Sequence, residues 1–147
     1  MSYKRIIDKL NLQAMTSTII YEGNLRTRAT HLYSGTEILT DAPLDNQGLA
    51  QAFSPTDLVA TALGSCIASI MGIKAREMNL NIKGTTLHVN KIMASDPRRI
   101  VEVEVQIKFP ANQFSDKEKA IFENAAKHCP VAKSLHPDII QQIDFTW

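Results

Sequence analysis

The sequence predicts an α+β fold. Strand and helix patterns follow one another in the order strands, long helix, strands, helix, strand, without the regular alternation of a doubly wound α/β sheet. The 147 residues lie within the usual size of one domain, so we expect a single domain over residues 1–147. Sixteen basic and fifteen acidic residues give a net charge of +1, which favours neither nucleic acid nor a membrane surface as a partner.

The first third of the chain predicts an antiparallel β-meander. Three short segments are typical of extended chain, over residues 17–22, 28–33 and 37–41. Asn24 and the pair Ser34 and Gly35 supply the turns between them. Residues 42–53 contain Pro, Asp, Asn and Gly without a clear period, so we expect a loop there.

A long helix is predicted next, from Pro55 to about Met78. Ser54 is a typical N-cap, Pro55 suits the first helical position, and Asp57 lies in the first turn, where the helix dipole favours an acid. Residues 58–73 carry no charge, but this run is shorter than the roughly 20 residues that a bilayer requires. A helix that is apolar all round is expected inside a core or at a subunit interface.

The remaining half predicts three strands and two helices. The strands are expected over residues 82–92, 101–109 and 143–147. Ser115 and Glu118 form a capping box that begins a helix, which should end near Cys129 because Pro130 interrupts the backbone hydrogen bonds. Pro130 then begins a second, short helix that reaches Leu135.

Cys66 and Cys129 are the two cysteines of the chain. No apolar stretch of signal-peptide length follows Lys4 and Arg5, which predicts a cytoplasmic protein with free or transiently oxidised thiols. Two sulfurs are too few for the usual zinc site, and none of the four histidines pairs with another at helical ligand spacing. We therefore expect no bound metal or cofactor.

Local sequence alone favours Cys129 as the nucleophile. It precedes Pro130 at an N-cap position, so its sulfur should lie near the positive end of a helix dipole, and His128 is adjacent. Cys66 lies about 18 Å along its helix, too far for that dipole to act. The alternative for Cys66 is that it is simply a small buried apolar side chain.

Two cysteine-centred motifs resemble the OsmC/Ohr family of osmotically inducible and organic hydroperoxide resistance proteins. The first runs from Ser54-Pro55-Thr56-Asp57-Leu58 to Ala62-Leu63-Gly64-Ser65-Cys66, and the second is Cys129-Pro130-Val131-Ala132-Lys133-Ser134-Leu135. The resemblance covers nearly the whole chain. It implies an OsmC-like fold and an intertwined homodimer whose two central helices pack between sheets from both chains.

The resemblance also implies a peroxidase mechanism. Cys66 is then the peroxidatic thiolate that attacks an organic hydroperoxide, and Cys129 condenses with the resulting sulfenic acid to form a disulfide. An external dithiol, in related enzymes a lipoyl group, reopens the disulfide. This assignment overrules the local argument for Cys129, because the motif around Cys66 matches more positions.

The chain departs from the family pattern in two charged groups. Peroxidases of this family place a Glu directly after the Pro, where it orients an Arg that stabilises the thiolate, whereas this chain has Thr56. Asp57 either takes over that role or only caps the helix. No Arg occurs in residues 42–53, so Arg26 and Arg28 remain as candidates for the thiolate partner, and we prefer Arg26.

These departures leave a second function open. The missing Glu favours a non-catalytic OsmC-like domain that binds an apolar ligand, or senses oxidants, at the dimer-interface pocket. The retained pair of cysteines favours a peroxidase that defends against oxidative stress.

Overall fold

The computed structural model describes residues 15–147 and contains two compact units, one up to Pro55 and one from Thr56 to Trp147. The start of the chain, on which the cytoplasmic prediction depends, lies outside the described residues.

The first unit contains the predicted meander. Its strands β1 (Ser17–Gly23), β2 (Arg26–His31) and β3 (Glu37–Asp41) form an antiparallel sheet in the order β1-β2-β3. Asn24 and Leu25 form the first turn, and both have a positive φ, as a two-residue hairpin loop requires. The prediction of a meander is confirmed.

The predicted loop after β3 is ordered against the end of that strand. It contains a short 3₁₀-helix, Leu44–Asn46, and returns so that the backbone NH of Asp41 donates to the carbonyl of Phe53 at 3.1 Å. Gly48 is required at the return, because a Cβ there would overlap the carbonyl oxygen of Ala42. The loop therefore folds back on β3.

The second unit places helices on a three-stranded sheet. Its elements are α1 (Pro55–Glu77), β4 (Thr86–Ser95), β5 (Arg98–Lys108), α2 (Asp116–Lys127), α3 (Pro130–Ser134) and β6 (Ile140–Thr146). The strand order is β4-β5-β6, with β4 and β5 antiparallel and β5 and β6 parallel. Strands and helices in non-alternating order confirm the α+β class.

The strand β4 begins and ends later than predicted. A bulge at Val101 in β5 also changes the direction of the side chains before it. Between Ile92 and Met93 the register shifts by one residue, so Ile100 is buried where the alternation predicts Val101. From Val103 onward the predicted alternation is confirmed, since Val103, Val105 and Ile107 are all buried.

Aromatic side chains join α2 to the sheet. The ring of Phe122 on α2 lies 5.3 Å from that of Phe109, and Trp147 stacks on Phe109 at 5.0 Å between ring centroids. The predicted capping box begins α2, because Ser115 Oγ accepts from the backbone NH of Glu118 and the Glu118 carboxylate accepts from the NH of Ser115. These contacts fix the helix that leads to Cys129.

The helix α1 supplies one wall of the core. Its buried residues share one face and pack with the inward side chains of β5; they are Ala60, Leu63, Gly64, Ile67, Met71 and Ala75. With 23 residues and a mean hydropathy of 1.7 over its most apolar window, α1 is long and apolar enough to span a membrane, unlike the 16-residue uncharged run considered from the sequence. The core helix of a soluble protein can have the same length and hydropathy.

The helix α1 packs tightly against β4 at Gly64. A Cβ at this position would lie 2.7 Å from Val89 Cγ2 on β4, well inside van der Waals contact. Val is stiff at χ1, so its methyl group does not move aside freely. Gly64 therefore allows a packing distance that any side chain at this position would increase.

We predict that Gly64→Ala destabilises the protein. Overpacking costs about 1–3 kcal/mol, and the higher helix propensity of Ala returns about 1 kcal/mol, so we expect a net loss of about 1 kcal/mol. Urea denaturation followed by circular dichroism measures the change.

Gly72→Ala is the matched control on the same helix. A Cβ at position 72 meets nothing within 4 Å, so only the gain in helix propensity of about 1 kcal/mol remains. Equal effects of the two substitutions on the free energy of unfolding would contradict the packing argument.

Candidate functional site

The second unit brings Cys66 and Cys129 together. Cys66 lies in the middle of α1, is partly buried and packs against the core, whereas Cys129 is fully buried at the start of α3. Both thiols are free, and Cys66 packs against the core cluster that contains Cys129. Two residues from distant parts of the sequence thus form one site.

Cys129 is the N-cap of α3, as the sequence predicts. The backbone NH of Ala132 donates to Cys129 Sγ at 3.3 Å, and Pro130 occupies the first turn. A side-chain acceptor at this position satisfies a backbone NH that has no partner within the helix.

The expected lowering of the Cys129 pKa is wrong. Burial raises the pKa of this thiol above its ordinary value, the neighbouring Cys66 raises it further, and the NH groups of Ala132 and Val131 only partly counteract this. A helix of five residues contributes little dipole, while complete burial penalises the charge strongly. Cys129 is therefore held as a neutral thiol at neutral pH.

Asp57 forms an ion pair that the sequence analysis missed. Lys91 Nζ donates to Asp57 Oδ1 at 2.6 Å, joining the first turn of α1 to β4. The Lys91 side chain is 19% exposed, so its charge depends on this partner. A sequence signal was available, because Lys91 continues the inward phase of Leu87 and Val89.

Arg26 lies in the first unit, where two side chains hold it. Its guanidinium donates to Gln51 Oε1 and lies 3.7 Å from Asp41 Oδ2. Asp41 is buried, its Oδ2 accepts from the backbone NH of Gln51, and its Oδ1 has no partner in the described part of the chain. Cys66 belongs to the second unit, and the role of Arg26 toward it stays a prediction.

Arg28 is bound by two acids. Its guanidinium donates to Glu22 at 2.6 Å and to Glu37 at 2.9 Å, and these hydrogen bonds raise its pKa further. Arg26 and Arg28 line the same cavity of about 370 Å³, as their two-residue spacing on one strand predicts. Arg28 is thus fully engaged by carboxylates on the neighbouring strands.

The histidines do not combine into one site. His31 Nδ1 is bonded to Ser34, His128 Nδ1 to the carbonyl of Asn124, and His136 lies 3.6 Å from Asp138. Among residues 15–147 no three His, Cys, Asp or Glu side chains form a group that could hold a metal ion.

We predict that Asp57→Asn destabilises the protein by about 1–2 kcal/mol, because it leaves the mostly buried Lys91 ammonium without a charged partner. Lys91→Met is the matched variant and should cost less, since the apolar side chain fills the same space and Asp57 can be hydrated. Urea denaturation of both variants measures the difference. A larger loss for Lys91→Met would contradict the assignment of Lys91 as the dependent partner.

We predict that Cys129 titrates above 9.0, its ordinary value. The unfolded chain then loses the thiol proton at a lower pH than the folded chain, so stability falls as the pH rises above that value. The pH dependence of iodoacetamide alkylation in Cys66→Ser should show a higher midpoint for folded than for guanidinium-unfolded protein. A midpoint at or below that of the unfolded protein would contradict the dominance of burial.

Comparisons with known proteins identify the fold independently. The profile of the family described as OsmC-like protein matches residues 47–143. A crystal structure of a putative osmotic stress induced and detoxification response protein from Psychrobacter arcticus is 55% identical, with a TM-score of 0.87 over 90% of this chain and 96% of that one. No curated protein matches the sequence.

Two more distant structures share the fold alone. An organic hydroperoxide resistance protein OsmC from Legionella pneumophila is 13% identical with a TM-score of 0.71, over 90% of this chain and 98% of that one. An organic hydroperoxide resistance protein of Bacillus subtilis is 17% identical with a TM-score of 0.62, over 90% and 99% of the two chains. With the family profile spanning most of the chain and the two cysteine motifs meeting in one site, the protein belongs to the OsmC-like family.

Proposed function

We propose that the protein is a thiol-dependent peroxidase that reduces organic hydroperoxides to alcohols. The observation that carries the proposal is that Cys66 and Cys129, two free thiols from different helices, lie in one core cluster, where Cys66 raises the pKa of Cys129. A structural role for either cysteine requires burial only, whereas a peroxidase that resolves its own sulfenic acid requires the second thiol within reach.

The proposed oxidation proceeds in two balanced steps. The Cys66 thiolate attacks the terminal peroxide oxygen, the O–O bond breaks, and the alkoxide leaves and is protonated to the alcohol, while Cys66 becomes a sulfenic acid. Cys129 then attacks the Cys66 sulfur. The S–O bond breaks, water leaves, and a disulfide remains.

The different environments of the two thiols suit these roles. Burial keeps Cys129 protonated, which prevents it from competing for the peroxide, and Cys66 is partly exposed to an incoming substrate. An external dithiol, such as the reduced lipoyl group of a lipoylated protein, then reduces the disulfide and is itself oxidised to a cyclic disulfide.

The relatives support the stress-defence part of this proposal. The 55% identical protein is described as a putative osmotic stress induced and detoxification response protein, and more distant proteins of the same fold are described as organic hydroperoxide resistance proteins. A pair of neighbouring thiols can reduce hydroperoxides, and this chemistry agrees with both descriptions.

We also propose a cytoplasmic homodimer. Apolar side chains of the meander are exposed, among them Ile19, Tyr21 and Leu39, and Val59 and Ile73 on α1 are 38% and 48% exposed. Exposed apolar surface of this kind is typical of subunit interfaces. Two free thiols agree with a reducing compartment.

The Asp57 ion pair favours a second candidate, a non-catalytic domain that binds an apolar ligand or senses oxidants. In this chain the acid in the first turn of α1 binds Lys91, and the position after Pro55 holds Thr56. The charged pair that the family peroxidases use is therefore changed, while both thiols remain.

Peroxide consumption separates the two functions. Reduced protein is mixed with a small excess of cumene hydroperoxide or a fatty-acid hydroperoxide, with dithiothreitol as the reductant, and the remaining peroxide is measured with time. We expect turnover in the unmodified protein and none in Cys66→Ser. In a parallel reaction without dithiothreitol, one equivalent of peroxide should leave a stable sulfenic acid at Cys66 in Cys129→Ser.

Each other outcome has a definite meaning. A rate no higher than that of free cysteine would exclude the peroxidase. Oxidation of both thiols by one equivalent of peroxide without turnover would favour the sensor. Turnover in Cys66→Ser but not in Cys129→Ser would invert the roles of the two cysteines.

A further inference from the structure

We propose that Asp41 and Gln51 form a clamp that holds the Arg26 guanidinium in place, and that the proposed reaction of Cys66 with hydroperoxide depends on this clamp. The inference rests on the proposed function and deepens it, because it names the residues that position the predicted cationic partner of the Cys66 thiolate. Asp41 and Gln51 are positioning residues, which act through Arg26.

Asp41 lies opposite Arg26 in the meander. The two residues are paired across β2 and β3, so their side chains share one face of the sheet, and Arg26 Nη2 lies 3.7 Å from Asp41 Oδ2. The Asp41 side chain is 1% exposed and that of Arg26 is 38% exposed, so the carboxylate lies beneath the guanidinium. The acid that the sequence offered for this role, Asp57, binds Lys91.

Gln51 joins the acid to the cation. Its backbone NH donates to Asp41 Oδ2 at 2.9 Å, and its side-chain oxygen accepts from Arg26 Nη2. The preceding residue, Ala50, has a φ of 50°, a left-handed conformation that is unfavourable for a residue with a Cβ. Such a conformation persists where the surrounding structure requires it, and here it precedes the NH that binds Asp41.

The buried carboxylate of Asp41 is costly for the fold. Its Oδ1 is buried and accepts no hydrogen bond in the part of the chain that the structure describes. A buried polar atom without a partner lowers stability, so stability alone does not account for an acid at this position. Attraction between this charge and Arg26 does account for it, because a carboxylate holds a guanidinium more firmly than a neutral acceptor does.

Arg26 also keeps donors that Arg28 does not. Asp41 and Gln51 both contact Nη2 of Arg26, and among the described residues its Nε and Nη1 have no hydrogen-bond partner. In Arg28 the same two nitrogens are bound by acids. A guanidinium that is already fixed, with free donors, stabilises a thiolate or a departing alkoxide without reorganisation.

The clamp does not depend on what covers the meander in the proposed dimer. All three residues belong to the first unit, and the contacts that join Arg26, Asp41 and Gln51 are made within one chain. Because Asp41 is buried by its own chain, a partner surface leaves its contact with Arg26 in place.

The first test is kinetic. The rate constant for consumption of cumene hydroperoxide by the reduced protein is measured in Asp41→Asn, whose amide oxygen can still accept from the NH of Gln51. We expect a rate about tenfold lower, because the guanidinium is no longer oriented. Removal of a negative charge beside Arg26 would by itself favour a nearby anion and raise the rate, so position and charge predict opposite signs.

A second variant covers the case in which Asp41→Asn does not fold. Gln51 is exposed, and Gln51→Ala removes the side-chain contact with Arg26 while the backbone NH to Asp41 remains. We expect a smaller loss of rate, about threefold, because the carboxylate still attracts the guanidinium.

Glu22→Gln is the matched control. Glu22 lines the same cavity and its substitution removes the same charge, but its carboxylate binds Arg28. We expect no loss of rate. In an Arg26→Ala background, Asp41→Asn should cause no further loss, because the acid acts only through Arg26.

The second test observes Arg26 directly. The ¹⁵N signal of its Nε, assigned by its disappearance in Arg26→Lys, reports the mobility of the guanidinium. We expect an ordered Nε in the unmodified protein and in Glu22→Gln, and a mobile one in Asp41→Asn.

Four results would overturn the inference: an unchanged or higher rate in Asp41→Asn, an equal loss in Glu22→Gln, a further loss in the Arg26→Ala background, or an ordered Nε in Asp41→Asn. Each of them leaves the peroxidase itself intact. A rate no higher than that of free cysteine in the unmodified protein would instead exclude the proposed function, and the role of the clamp with it.

Discussion

The close packing of α1 on β4 is the constraint on which the second unit depends. Gly64 leaves no room for a Cβ against Val89, and the adjoining face of α1 carries Leu63, Ile67 and Met71 into the core. Cys66 follows Gly64 by two residues, so the same contact sets the height and rotation of its thiol. A change in this spacing would move Cys66 relative to Cys129 as well as weaken the core.

Cys129 shows how one side chain serves structure and chemistry together. Its sulfur caps α3, fills space in the core and interacts with Cys66. Burial raises its pKa more than the capping NH groups lower it, and Cys129 is also less accessible to solvent than Cys66. This difference divides the proposed roles between them: the more accessible thiol meets the peroxide, and the buried one closes the disulfide.

The charged side chains form separate ion pairs in the two units. In the first unit, buried Asp41 and the neighbouring Gln51 hold Arg26, and two acids hold Arg28. In the second unit, Asp57 binds Lys91. Arg26, Arg28 and Lys91 are thus each paired with an acid of the same unit.

The sequence by itself determined the α+β class, the meander, the helix that begins at Pro55, the capping box at Ser115 and the N-cap at Cys129, because each depends on neighbouring residues. Tertiary structure alone decided three features. A bulge at Val101 in β5 turned Ile100 instead of Val101 into the core, the helix–sheet packing paired Lys91 with Asp57, and burial reversed the expected shift of the Cys129 pKa. The physical reason is common to all three: register, ion pairing and desolvation depend on residues that are distant in sequence, and periodicity and spacing describe only local order.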